Sequence, residues 1–198
     1  MGYNQIYKDL LARLKTADLP ASARNLGLAL NDAGEVIVQT LGAVFLASND
    51  GVRRSDGRRF SDNLGSVIIH YLLNASGSRP AGKFVTFAEL AGPLFKASSY
   101  SGSALELPII KCFAGRVSEL LQTAADLGGR RGGEAGLGAL SLIFEPLPHI
   151  FLQLIFYDRD EEFPARATLL FDVNATQFVE FEVLAVLVTE FVRSLTRR

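Results

Sequence analysis

The chain has 198 residues, 48% of them hydrophobic and 21% charged, with a formal net charge of −1. That composition is globular, neither disordered nor fibrous, and the near-neutral charge offers no long-range field to nucleic acid or an anionic membrane. The single cysteine, Cys112, excludes an internal disulfide and any multi-cysteine metal or iron–sulfur site built within one subunit. One domain covering 1–198 is the expectation for this length. The opening Met1-Gly2-Tyr3-Asn4-Gln5 lacks the basic end and apolar core of a secretory signal. Glu180, Glu182, Glu190, Arg193 and Gln153 interrupt the longest apolar runs. A soluble, cytoplasmic protein without membrane or nucleic-acid partners is therefore expected.

From the N-terminus, Ile6, Leu10, Leu11 and Leu14 recur at helical spacing and predict a helix from about Asn4 to Thr16, stopped by Asp18–Pro20. A short helix over Ala21–Leu30 follows. Val36–Val38 and Ala43–Leu46 read as paired strands, with turns at Asn49-Asp50-Gly51 and Ser55-Asp56-Gly57. Ser61 or Asp62 caps an amphipathic helix with the stripe Leu64, Val67, Ile68, Tyr71 and Leu72. Residues 78–106 are mixed, with a surface loop at Ser98–Ser103. Pro108–Leu127 predicts one or two helices, broken at Gly115 and closed by Gly128. After a glycine-rich linker, 128–138, strands are expected at 139–145, 149–157 and 166–172, the last two joined by an acidic turn. A helix over 177–196 buries Phe181, Leu184, Val188, Phe191 and Leu195. Strands and helices come in blocks, which predicts an α+β fold: a mixed or antiparallel sheet from two β blocks, several helices and a long C-terminal helix.

The acidic turn carries the densest chemistry. Asp158, Asp160, Glu161 and Glu162 fall within five residues after an apolar strand, and Asp172 closes the next strand. Such oxygen ligands suit a divalent cation, with Asp160 and Asp172 as the metal-binding pair. Phe151, Phe163 and Phe171 would floor the pocket. His149 starts the preceding strand and would act as ligand or base only if a neighbouring strand carried an acid back to it. The competing reading has the acids solvating a hairpin and pairing with Arg159 or Arg166. His70 flanks its helix's apolar stripe, and Cys112 sits among Ile109, Ile110 and Phe113 as a small core residue. Gly128–Gly138 lacks the lysine and hydroxyl of a phosphate loop and runs from helix to strand, the wrong direction. Arg53, Arg54, Arg58 and Arg59 bracket a turn and read as a solvated hairpin. No nucleophile elbow, His-Glu-x-x-His pair or Cys-x-x-Cys is present in the sequence.

Asp160-Glu161-Glu162-Phe163-Pro164-Ala165 with Leu170-Phe171-Asp172 resembles a bacterial and archaeal family catalogued as a domain of unknown function. Tyr71–Gly77, Phe84–Leu90, Leu127-Gly128-Gly129 and Pro146-Leu147-Pro148 fit the same pattern in the same order. The resemblance implies relatives joined to a four-cysteine iron–sulfur module or associated with corrinoid/iron–sulfur methyl-transfer systems of anaerobes. It thereby implies a small ligand, divalent cation or corrinoid-system protein as partner, with no cofactor specified. This chain, with one cysteine, departs from the four-cysteine pattern. The leading expectation is a non-catalytic binding or accessory protein acting through Asp158, Asp160, Glu161, Glu162, Asp172 and His149. The alternatives are a metal-dependent hydrolase or transferase using the same carboxylates, with Glu161 or His149 moving a proton, and a structural protein–protein interaction module.

Overall fold

The structure, a computed structural model, describes residues 3–91 and 103–197. The loop expected at 98–103 lies outside them except for Ser103, which opens a helix. In chain order the elements are α1 (Tyr3–Leu14), α2 (Leu19–Leu26), β1 (Val36–Thr40), β2 (Ala43–Ser48), β3 (Gly51–Arg54), α3 (Asp62–Asn74), β4 (Phe84–Thr86) and α4 (Phe87–Ala91). They continue with α5 (Ser103–Phe113), α6 (Val117–Asp126), β5 (Arg130–Arg131), β6 (Leu140–Leu147), β7 (Ile150–Tyr157), β8 (Arg166–Asp172), a 3-10 turn (Ala175–Gln177) and α7 (Phe181–Thr196). β1–β2–β3 form one antiparallel sheet, and β4–β8–β7–β6–β5 form a second. The fold is α+β, as the block pattern predicts.

Several boundaries differ from the sequence reading. Asp18 and Pro20 start α2 instead of ending α1: the Asp18 side chain accepts the Ala21 N–H, and Gly27 closes the helix at φ 65°. A proline in the first turn sacrifices no helical hydrogen bond. Helix α5 begins at Ser103 and carries Pro108 in its interior. The final helix begins at Phe181, because Asn74 Nδ2 donates to the carbonyls of Gln177 and Phe178 and removes them from a continuous helical ladder. β3, β4 and β5 are only four, three and two residues long, too short for a hydrophobic period to register.

α7 buries a broad apolar face, with Leu184, Leu187, Val188, Phe191 and Leu195 among its core residues, and turns Glu182, Thr189 and Arg193 to solvent. It packs against α3, α5 and the five-stranded sheet, where the Phe191 ring meets Phe144 at 4.8 Å. The buried residues of both sheets join one apolar cluster. The smaller sheet turns Val36, Val38, Phe45 and Ala47 inward. Its β1–β2 turn has Leu41 at φ 48° and Gly42 at φ 73°, the paired left-handed positions that match the twist of a tight hairpin. Thr40 Oγ1 donates to the Pro146 carbonyl at 2.6 Å and ties this sheet to β6.

Candidate functional site

The acidic turn is built from its own backbone bonds. Asp160 Oδ1 accepts the N–H groups of Glu162 and Phe163, and these bonds, Phe163 first, hold its carboxyl below the usual range. Asp158 Oδ1 accepts from Gly115 at 2.6 Å and from Arg159, so it fastens the turn to the α5–α6 junction. The Arg159 guanidinium lies over Gly115, where an added Cβ would stand 2.9 Å from Nη2. Glu161 and Glu162 are exposed, and Phe163 is 56% exposed. Arg166 sits over the Tyr157 ring.

Asp172 belongs to another place. It ends β8, while Asp160 precedes the start of that strand; Arg166–Asp172 spans about 20 Å at roughly 3.3 Å per residue. One ion cannot bridge the pair, and the expected metal site and its Phe floor are corrected accordingly: Phe171 is buried at the far end of the sheet from Phe163. Asp172 is 1% exposed, with Oδ1 accepting from Ala81 and Asn174 and Oδ2 from Gly82. Those bonds close the loop before β4 against the exit of β8. Among the described residues, no group of three or more His, Cys, Asp or Glu side chains could hold a metal ion.

His149 does share the Asp172 end of the sheet, because β8 runs back along β7 with Leu152 opposite Phe171. The ring nevertheless has other partners. Leu147 pairs with Ile150, leaving Pro148-His149 as a two-residue turn with His149 at φ 66°. Proline followed by a left-handed residue is the order of a type II turn. The His149 N–H donates to Glu145 Oε1 at 2.8 Å, Nε2 donates to the Leu26 carbonyl at 2.9 Å, and the ring stacks on Phe178. His149 therefore satisfies a carbonyl at the end of α2, far from the acidic turn.

A concave site lies elsewhere, between the β1–β2 turn and the C-terminal end of α6, with a volume of about 450 Å³. Leu41, Gly42, Asp126, Leu127, Gly128 and Glu145 are among its lining residues. Gly42 approaches α6 so closely that an added Cβ would stand 2.5 Å from the Asp126 carbonyl oxygen. Gly128 turns left-handed at φ 77°, and the N–H groups of Gly128 and Gly129 return to Ala125 and Ala124. That is a glycine-closed helix end, whose dipole presents partial negative charge. Glu145 comes from β6 at an irregularity between Phe144 and Leu147, where a bulge re-aims side chains. The ionisable groups among the described lining residues are Asp126 and Glu145, with no lysine, arginine or histidine among them. Both carboxylates are exposed on its rim. Sequence reasoning missed this site. Leu41-Gly42 between two short strands and the Gly128-Gly129 helix stop were the available signals, and neither shows that the two meet.

The geometry defines an α+β protein with an acid-rimmed cleft, in which the described residues include no helix long and apolar enough to cross a membrane. The chain belongs to the family described as Domain of unknown function (DUF3786), whose profile matches residues 18–194. No curated protein and no solved structure matches it. Residues that carry the resemblance tie the fold together. Thr86 and Glu89 form a reciprocal cap on α4, Oγ1 accepting the Glu89 N–H and Oε2 accepting the Thr86 N–H. Tyr71 donates to the Pro148 carbonyl, and an added Cβ on Gly129 would run into Phe144.

Proposed function

We propose that this protein is a non-catalytic binding module that holds a small organic cation, an ammonium or guanidinium group, in the cleft between the β1–β2 turn and the end of α6. The observation that carries the reading is the one-signed lining: Asp126, Glu145 and the negative end of α6, with no cationic side chain among the described lining residues. The volume falls within the range of small-molecule sites, about 300–1,000 Å³. An ammonium about 4 Å from a carboxylate gains about 4 kcal/mol at the effective dielectric of a protein surface. Two such contacts, one at each carboxylate, gain about 8 kcal/mol, and a cost of about 4 kcal/mol for lost freedom leaves an affinity on the order of 1 mM. The partner implied by the resemblance, a protein of a corrinoid or iron–sulfur methyl-transfer system, is the candidate to which such an accessory module would present its ligand.

Backbone-amide NMR during titration with 1,4-diaminobutane and with arginine tests the reading. Gly42, Val44, Leu127 and Gly128 amides are expected to shift, and Asp126→Asn combined with Glu145→Gln to weaken binding at least tenfold. Unmoved cleft amides at about 10 mM ligand, ten times the dissociation constant expected, would refute it.

A further inference from the structure

Outside the cleft and the acidic turn, one buried side-chain polar atom among the described residues breaks the rule that buried groups find partners. Oε2 of Glu106 is buried and has no hydrogen-bond partner among the described residues. Its place in the fold explains how the residue came to be there. Val173 donates its N–H to Lys83, on the β4 side of β8. Backbone groups two residues apart on a strand face the same edge, so the N–H groups of Phe171 and Leu169 also point toward β4. The pairing of β4 ends at Thr86 opposite Leu170, because the chain turns into α4 at Phe87. The Leu169 N–H is thus left at an open edge, and Glu106 Oε1, from α5, accepts it at 3.2 Å.

One carboxyl oxygen therefore completes the sheet edge while the other enters the packing with nothing to bond. A neutral acid suits this arrangement: the carbonyl oxygen accepts from Leu169, and Oε2 carries the proton. A charged carboxylate suits it poorly, since burying an unpaired charge costs far more than burying a hydroxyl. The described residues around it offer no compensation. Of the elements packed against α5, β8 carries Arg166 and Asp172, each three residues from Leu169 and so about 10 Å along the strand. On α7, Glu182 is exposed and Glu190 is paired with Arg193; on α6, Glu119 pairs with Arg116, and Asp126 is at the far end. Lys111, on α5 itself, is exposed. Burial pushes the Glu106 carboxyl above its ordinary range, against the pull of the Leu169 and Glu106 N–H groups, and no charged side chain takes part.

We infer that Glu106 is a proton-controlled latch between α5 and the sheet: its neutral carboxyl holds the start of α5 on the open edge of β8, and its ionisation releases that contact. The step is a simple dissociation. The Oε2–H bond breaks, its proton passes to bulk water, and the carboxylate follows it into solvent as the first turns of α5 lift from β8. Leu105 and Ile109, buried on the same helix, lose packing with it, and the β8 edge at Leu169 is opened.

Hydrogen exchange resolved to single amides, corrected for intrinsic rates, tests the latch on the intact chain. Protection at Leu169 and through the first half of α5 is expected to fall at least about threefold as the pH rises from about 3.5, below the ordinary glutamate range, to pH 8. Amides of α1 and α2 serve as the reference and should not follow. Glu106→Gln, which keeps an acceptor for Leu169 and cannot ionise, should make the profile flat. PH-independent protection in the wild type would overturn the latch, as would the same fall in a folded Glu106→Gln protein. Should that variant fail to fold, carbon-13 titration of the Glu106 carboxyl in the wild type decides: its midpoint should coincide with the loss of Leu169 protection. A midpoint in the ordinary glutamate range, about 4.3, would refute the proposal.

Discussion

Replacing Asp172 by asparagine separates a structural carboxylate from a metal ligand. The side chain is 1% exposed and accepts three backbone N–H groups, from Ala81, Gly82 and Asn174. Asn preserves the volume but replaces one acceptor oxygen by a donor. With the amide oxygen at the Oδ1 position, Gly82 faces an NH2 group; turned the other way, Ala81 and Asn174 do. The better orientation still leaves one N–H without its acceptor, against a side chain that is itself 1% exposed. A hydrogen bond to a charged group contributes about 1.5–3 kcal/mol, so Asp172→Asn should cost about 2–3 kcal/mol. For a chain of this size each kcal/mol lowers Tm by about 2–4 °C, giving a fall of about 4–12 °C. Urea unfolding should show a lower midpoint with an unchanged slope, the sign of lost stability without a change in compactness. Millimolar Mg²⁺ or Mn²⁺ should move neither protein. A variant within about 1 °C of the wild type, or a wild-type protein that divalent ions stabilise and the variant does not, would refute the reasoning.

Two further outcomes follow from side chains on α3. Tyr71→Phe removes the hydroxyl that donates to the Pro148 carbonyl at 3.0 Å and leaves that oxygen unpaired, so urea unfolding should show a loss of about 1–2 kcal/mol. Burial lowers the His70 pKa, outweighing the opposing effect of Glu180. Because the folded value lies below the unfolded one, this contribution is complete above about pH 6.5 and is lost as pH falls from there through the folded value. Tm measured downward from pH 7 should therefore drop in the wild type more than in His70→Gln; parallel profiles would dismiss the role of His70.

The helical stripes, the paired short strands and the apolar C-terminal helix were legible in the sequence, because periodicity records which face of an element is buried. Ser61 as a cap, Gly115 as a break and Gly128 as a stop were legible too, since each answers a local backbone demand. Asp18 and Pro20 were misread because the same residues can end one helix or begin the next, and only the Asp18–Ala21 bond decides between them. The candidate site was less legible. Asp158 and Asp160 stay together because they are adjacent in sequence, yet Asp172 lies a strand length away and His149 turns to α2. The cleft joins residues 39–44, 125–128 and 145, and the Glu106 contact joins residues 106 and 169. What the sequence by itself determined is therefore what neighbours along the chain impose through backbone geometry and burial period. Where β4 stops, which edge α5 covers and which carboxylates share a cleft were decided by tertiary packing, because strand register and helix placement bring together groups whose types carry no mark of their partners.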